Sequence, residues 1–121
     1  MKTYTPEEQK ENLRKACQAL RENPKKATYR MRDHDGGRCC LCVMAEVAED
    51  IDGATRGTYS KDGNLPSVKL YRIYGIEKAN AHPWLYNFAI QGIYASSHND
   101  GARTSEKTHA EIADMIEKEY L

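Results

Sequence analysis

The same helix-start signal occurs near both ends of this sequence. Thr5-Pro6-Glu7-Glu8 and Thr108-His109-Ala110-Glu111 each place a threonine three residues ahead of a glutamate. At that spacing the hydroxyl accepts from the third helical N–H, and the carboxylate accepts from the threonine's own N–H. Pro6 suits the first helical position, where a missing N–H costs nothing. Behind the first signal Leu13, Ala16, Cys17 and Leu20 recur at helical spacing, and behind the second Ile112, Met115, Ile116 and Tyr120 do. Asn23-Pro24 ends the first helix, because the residue before proline avoids helical geometry. A chain framed by two amphipathic helices must bury their stripes against further layers of secondary structure.

The stretch between them supplies those layers. Residues 35 to 50 read DGGRCCLCVMAEVAED, and a second helix is expected from about Arg38 to Asp50. Cys40, Val43, Met44, Val47 and Ile51 form its buried stripe, widened by Cys39 and Leu41, with Glu46, Glu49 and Asp50 toward solvent. Gly53 is expected to end it in left-handed geometry. Residues 28 to 31 suggest a short strand and His34 to Gly37 a turn, and Asp62-Gly63 marks the tip of a turn or small hairpin. Pro66 and Gly75 favour a short helix between them, although Val68-Lys69-Leu70 also alternates like a strand. From Pro83, Leu85, Phe88, Ala89 and Ile93 share a helical face despite Gly92. SSHNDG, Ser96 to Gly101, then reads as a turn whose Asn and Asp bond their own backbone. The sum is one domain over residues 1–121, mainly α with α+β as the variant. It is a compact bundle of about four to five helices with a small β-hairpin or short strands.

Composition excludes several classes of function. Eighteen Lys and Arg balance eighteen Asp and Glu over 121 residues. A neutral chain lacks the field that nonspecific nucleic-acid or anionic-membrane binding uses. The last helix resembles the first half of a helix-turn-helix, but with the chain ending at Leu121 no recognition helix is expected. No apolar run reaches the length of a membrane span, and the N-terminus lacks a signal-peptide core. A cytoplasmic setting in a bacterial host is expected, where Cys17, Cys39, Cys40 and Cys42 stay thiols.

The order of GGRCCLCVMAEVAED, YSKDGNLPSVKLYRIYGI and HNDGARTSEKTHAEIADMIEKEYL resembles a set of short phage and prophage hypothetical proteins. There a Cys-Cys-Leu-Gly-Val-like helix follows an Arg/Gly-rich turn, a Leu-Pro-led helix ends in Gly-Leu or Gly-Ile, and an Asn-Asp-Gly-like loop leads into an Ile-Ala-Asp-x-Ile-Glu helix. The resemblance spans about residues 30 to 121. Cys42 departs from it, standing where the set has glycine, and ARTSEK is inserted before the last cap. The resemblance implies a mobile-element context and a shared fold, and brings no catalytic residues.

The candidate sites follow from the residues. Cys39 and Cys42 make half of a zinc-type pair, but His34, His98, His109 and Cys17 supply no second close pair, so no metal and no cofactor are expected. Packed against another helix, the cysteines serve as small apolar residues. A nucleophilic Cys39 is the alternative, its pKa lowered by the helix start and Arg38, with His34, His82 or His98 as base. A ligand pocket would draw on Arg30, Arg32, Arg38, Asn99 and Asp100, since arginine forks suit phosphate. A protein interface would draw on Tyr71, Tyr74, Trp84, Tyr86 and Tyr94. The expected function is a non-enzymatic accessory protein of phage type that binds a host protein or small ligand, counter-defence or host takeover being the natural roles. The alternatives are a module for a nucleotide or other phosphorylated metabolite and, third, a Cys39 hydrolase or transferase. Homo-oligomers stay open.

Overall fold

The computed structural model describes residues 3–28, 35–53, 70–76 and 87–121. The first helix, α1, is Pro6–Glu22, and both halves of its capping box form: Thr5 Oγ1 accepts from the Glu8 N–H at 3.1 Å, and Glu8 Oε1 accepts from the Thr5 N–H at 3.0 Å. Asn23 closes the other end by donating its side-chain amide to the Ala19 carbonyl at 2.7 Å. The expected stripe of Leu13, Ala16, Cys17 and Leu20 is buried. The helix α2, Cys40–Ile51, lies at the centre and is buried at every position from Cys40 to Ala45. Burial on all sides is what a helix gains when neighbours cover it from several directions. Here α1 covers one side, and α3 and α4 cover others.

At the far end of α2 the sequence expectation fails. Gly53 does not adopt positive φ. Asp52 is the cap, its N–H donating to Ala48 O at 2.8 Å while its carboxylate takes Arg72 at 2.5 Å. Asp52 thus ends the helix through its backbone and is held in place through its side chain, with no left-handed glycine.

The short helix α3, Leu70–Tyr74, supports the helical alternative for its part of the 66–75 segment; 66 to 69 lie outside the described residues. Its open carbonyls are met by side chains of α1, Gln9 donating to Arg72 O and Asn12 to Ile73 O, each at 3.0 Å. Gly75 leaves the helix at φ +67°, and a Cβ there would lie 2.8 Å from the Gln9 carboxamide. Close approach and backbone geometry both require glycine.

The segment after Phe88 corrects the sequence reading. Ala89 and Ile93, expected on one helical face, belong to two strands, β1 (Ala89–Ile90) and β2 (Ile93–Tyr94), paired antiparallel with Ala89 opposite Tyr94 and Ile90 opposite Ile93. Gln91 at φ +53° and Gly92 at φ +77° make the turn, and two consecutive positive values are the mark of a tight I′ hairpin. Two residues of α5 hold it: the Tyr120 hydroxyl donates to Ala89 O at 2.6 Å, and Glu119 accepts from the Gln91 N–H at 3.0 Å. The stretch read as an SSHNDG turn is instead a helix, α4, Ala95–Asp100, ending on Gly101 at φ +78°. The turn or small hairpin expected at Asp62-Gly63, most of the strand expected over 28 to 31, and Leu85 lie outside the described residues. Beside that expected strand, Lys26 and Arg38 form a single parallel bridge.

The last helix, α5, is His109–Tyr120, and its capping box forms as the first one does. It packs on α1, with Arg21 paired to Asp114 at 2.6 Å and to Glu117. Five described helices around one apolar centre, with one small hairpin, make a mainly α domain.

Candidate functional site

Cys39 is the N-cap of α2, its sulfur accepting from the Cys42 N–H at 3.4 Å. Cys40 directs its thiol to Ala95 O at 3.7 Å, Cys17 directs its own to Ala113 O at 3.8 Å, and none of the four forms a disulfide. Burial pushes the Cys39 and Cys17 thiols up to about 12 and Cys40 well above its ordinary value. The expected lowering at Cys39 therefore does not occur: desolvation outweighs the helix start. The cation expected beside it is engaged elsewhere, since Arg38 pairs with Glu46 and donates to Asn23 Oδ1. Among the described residues no three His, Cys, Asp or Glu side chains converge as a metal site.

Of the expected ligand set, Arg38, Asn99 and Asp100 lie in the described residues, and Arg30 and Arg32 lie outside them. Asn99 is only 1% exposed and works as a joint. Its Oδ1 accepts from the Cys40 N–H at 2.9 Å, and its amide donates to Ala27 O and to Asp100 Oδ1, each at 2.8 Å. Asn99 thus satisfies an open donor at the start of α2 from another helix. Lys26 completes this corner with a nearly buried ammonium on Asn99 O, Lys107 O and Glu106. These polar groups do meet in space, but they face one another.

The tyrosines divide differently. Tyr74 is buried, its hydroxyl donating to Met44 O at 2.5 Å. Tyr71 and Tyr94 are half-buried, and Trp84 and Tyr86 lie outside the described residues.

A concavity remains that none of the sequence candidates line. It runs between the outer face of α1 and the last turn of α2, with a volume of about 740 Å³. Tyr4, Ala19, Val47 and Ile51 give it an apolar floor, each half-buried against the core. Glu8, Glu11 and Glu22 stand along the α1 side and Asp50 on the α2 side, with Lys15 the single cation among the described lining residues. Positions 8, 11, 15, 18 and 22 alternate three and four apart, so they share one helical face directly beside the core stripe. Val47 and Ile51 are likewise one turn apart. The sequence contains both patterns, but only the packing of α1 on α2 turns them into two walls of one groove. Tyr4 closes one end, its ring 5.8 Å from the Arg72 guanidinium that holds Asp52.

No protein-family model, no curated protein and no solved structure matches this chain. No described helix is long and apolar enough to cross a membrane.

Proposed function

We propose that this chain is a small accessory protein of the phage type its sequence resembles, working in a bacterial cytoplasm by binding a partner protein and not by catalysis. One observation carries the reading: the α1–α2 groove joins an apolar floor to charged walls, the combination by which protein grooves take peptide segments. The thiols support it from the other side. A buried sulfur with a pKa of about 12 is a poor nucleophile at neutral pH. The nucleotide alternative draws less support, since Arg38 and Asn99 are engaged with internal partners.

The test compares capture of bacterial lysate proteins by the wild type, by Ala19→Trp, which fills the groove floor, and by Cys39→Ser. The expected result is a protein retained by the wild type and by Cys39→Ser but lost at least about ten-fold by a folded Ala19→Trp. Turnover that depends on Cys39, or capture indifferent to Ala19→Trp, would contradict the reading.

A further inference from the structure

We propose that the occupant of the α1–α2 groove is a basic amphipathic helix of a partner protein. This rests on the binding reading above and deepens it. The wall on α1 runs from Glu8 to Glu22, about 21 Å at the rise of an α-helix, which matches a docked helix of about four turns. The floor of Ala19, Val47 and Ile51 suits an apolar stripe at i, i+3, i+4 and i+7.

The walls choose the charge. Among the described lining residues four carboxylates, Glu8, Glu11, Glu22 and Asp50, face the groove against the one ammonium of Lys15. The whole chain is neutral, so this is a local excess. Glu8 is engaged in the α1 cap and Glu11 in an exposed pair with Arg14. An acidic helix laid on the floor would bring like charges together along both exposed rims. Lys and Arg on its flanks would lay their stems along the apolar edge and reach both walls with their heads.

The described helices of this chain do not fit that description. Along α5, Glu111, Asp114, Glu117 and Glu119 stand against Lys118, and α1 carries balanced charge. Docking of a second copy through α1 or α5 is therefore disfavoured on charge, as is nucleic acid, whose phosphates the described walls repel.

The test titrates the full chain with a labelled amphipathic peptide of about four turns, followed by fluorescence anisotropy. One peptide carries Lys and Arg on its polar face, and a control carries Glu on the same apolar stripe. Glu11 and Asp50 are exposed, so the double variant Glu11→Lys/Asp50→Lys leaves the packing intact, which circular dichroism checks. The basic peptide is expected to bind the wild type, and the acidic one is not. Affinity is expected to fall at least about ten-fold with the double variant, and again between about 50 and 300 mM salt. Equal binding to the double variant, equal binding of both peptides, or no binding overturns the proposal. So does self-association abolished by Ala19→Trp, which would make a second copy the occupant. If the basic peptide fails while Ala19→Trp still loses a lysate partner, the groove reading stands and only the class of occupant falls. If Ala19→Trp changes nothing, the groove reading falls as well.

Discussion

A thiol at the start of a helix, one residue after an arginine, has the surroundings that usually favour a thiolate. At Cys39 the sulfur is buried and caps α2 instead, with a pKa of about 12. At pH 8 that leaves about one thiolate in ten thousand, so alkylation of the folded protein is expected to be slow, and rapid only after unfolding. The capping role sets the cost of substitution. Cys39→Ser supplies a stronger acceptor for the Cys42 N–H and is expected to hold or raise stability by up to about 1 kcal/mol, whereas Cys39→Ala loses about 1 kcal/mol. Urea unfolding of the three proteins checks this, whereas a catalytic thiol would show itself as activity lost in both variants whatever their stability. His109 is the second informative residue. Fully buried, it donates from Nδ1 to Asn23 O at 2.5 Å. Burial lowers its pKa below 6.5, aided by Lys26 and Arg38 and opposed by the carbonyls of Asn23 and Arg38. Below pH 6.5 the unfolded chain therefore binds a proton that the folded chain does not. Stability is expected to be full above about 6.5 and to fall as the pH drops toward the folded-state value, a slope that His109→Gln would flatten. Urea midpoints measured from neutral to mildly acid pH test it.

At the level of elements, what was legible depended on whether the signal was local. The caps of α1 and α5 are contained within four residues each, and both formed as read. The hairpin was not legible, because Phe88, Ala89 and Ile93 also satisfy a helical period and Gln-Gly is a weaker turn signal than Asn-Gly. Its choice of strand is set from a distance, by Tyr120 and Glu119 on α5. Gly92→Ala tests this by its sign. In a helix the substitution would stabilise by up to about 1 kcal/mol. At φ +77°, with open space around the new methyl, it is expected to destabilise by about 1 kcal/mol. Asn99 gives a similar lesson. The sequence placed it in a turn bonding its own backbone, but it reaches back across more than fifty residues of chain to join Cys40 of α2 and Ala27. Asn99→Ala strands a buried N–H and a buried carbonyl, and is expected to cost about 2–4 kcal/mol in the same unfolding measurement.

For the molecule as a whole, hydrophobic periodicity was enough to give a mainly α domain, since each apolar stripe had to find a neighbour. The reading of the cysteines as a packed face also survives at this scale: Cys17, Cys40 and Cys42 lie in the same buried cluster as Leu13, Leu20 and Met44. The groove was not readable in advance. Glu8, Glu11 and Glu22 were one solvated face and Asp50 another until α1 and α2 packed side by side. In the sequence the arginines stand out as phosphate forks and the tyrosines as interface residues. Of those described, Arg38 is paired internally and Tyr74 sits in the core.

The most direct test of the central claim is a nitrogen–proton correlation spectrum of the full chain, recorded while the basic amphipathic peptide is added. The account predicts shifts concentrated at Tyr4, Ala19, Val47, Asp50 and Ile51 and on the exposed face of α1, with Cys39 to Cys42 and Asn99 unmoved. Shifts centred on Arg38, Cys39 and Asn99, with the groove residues silent, would contradict it and return the site to the start of α2.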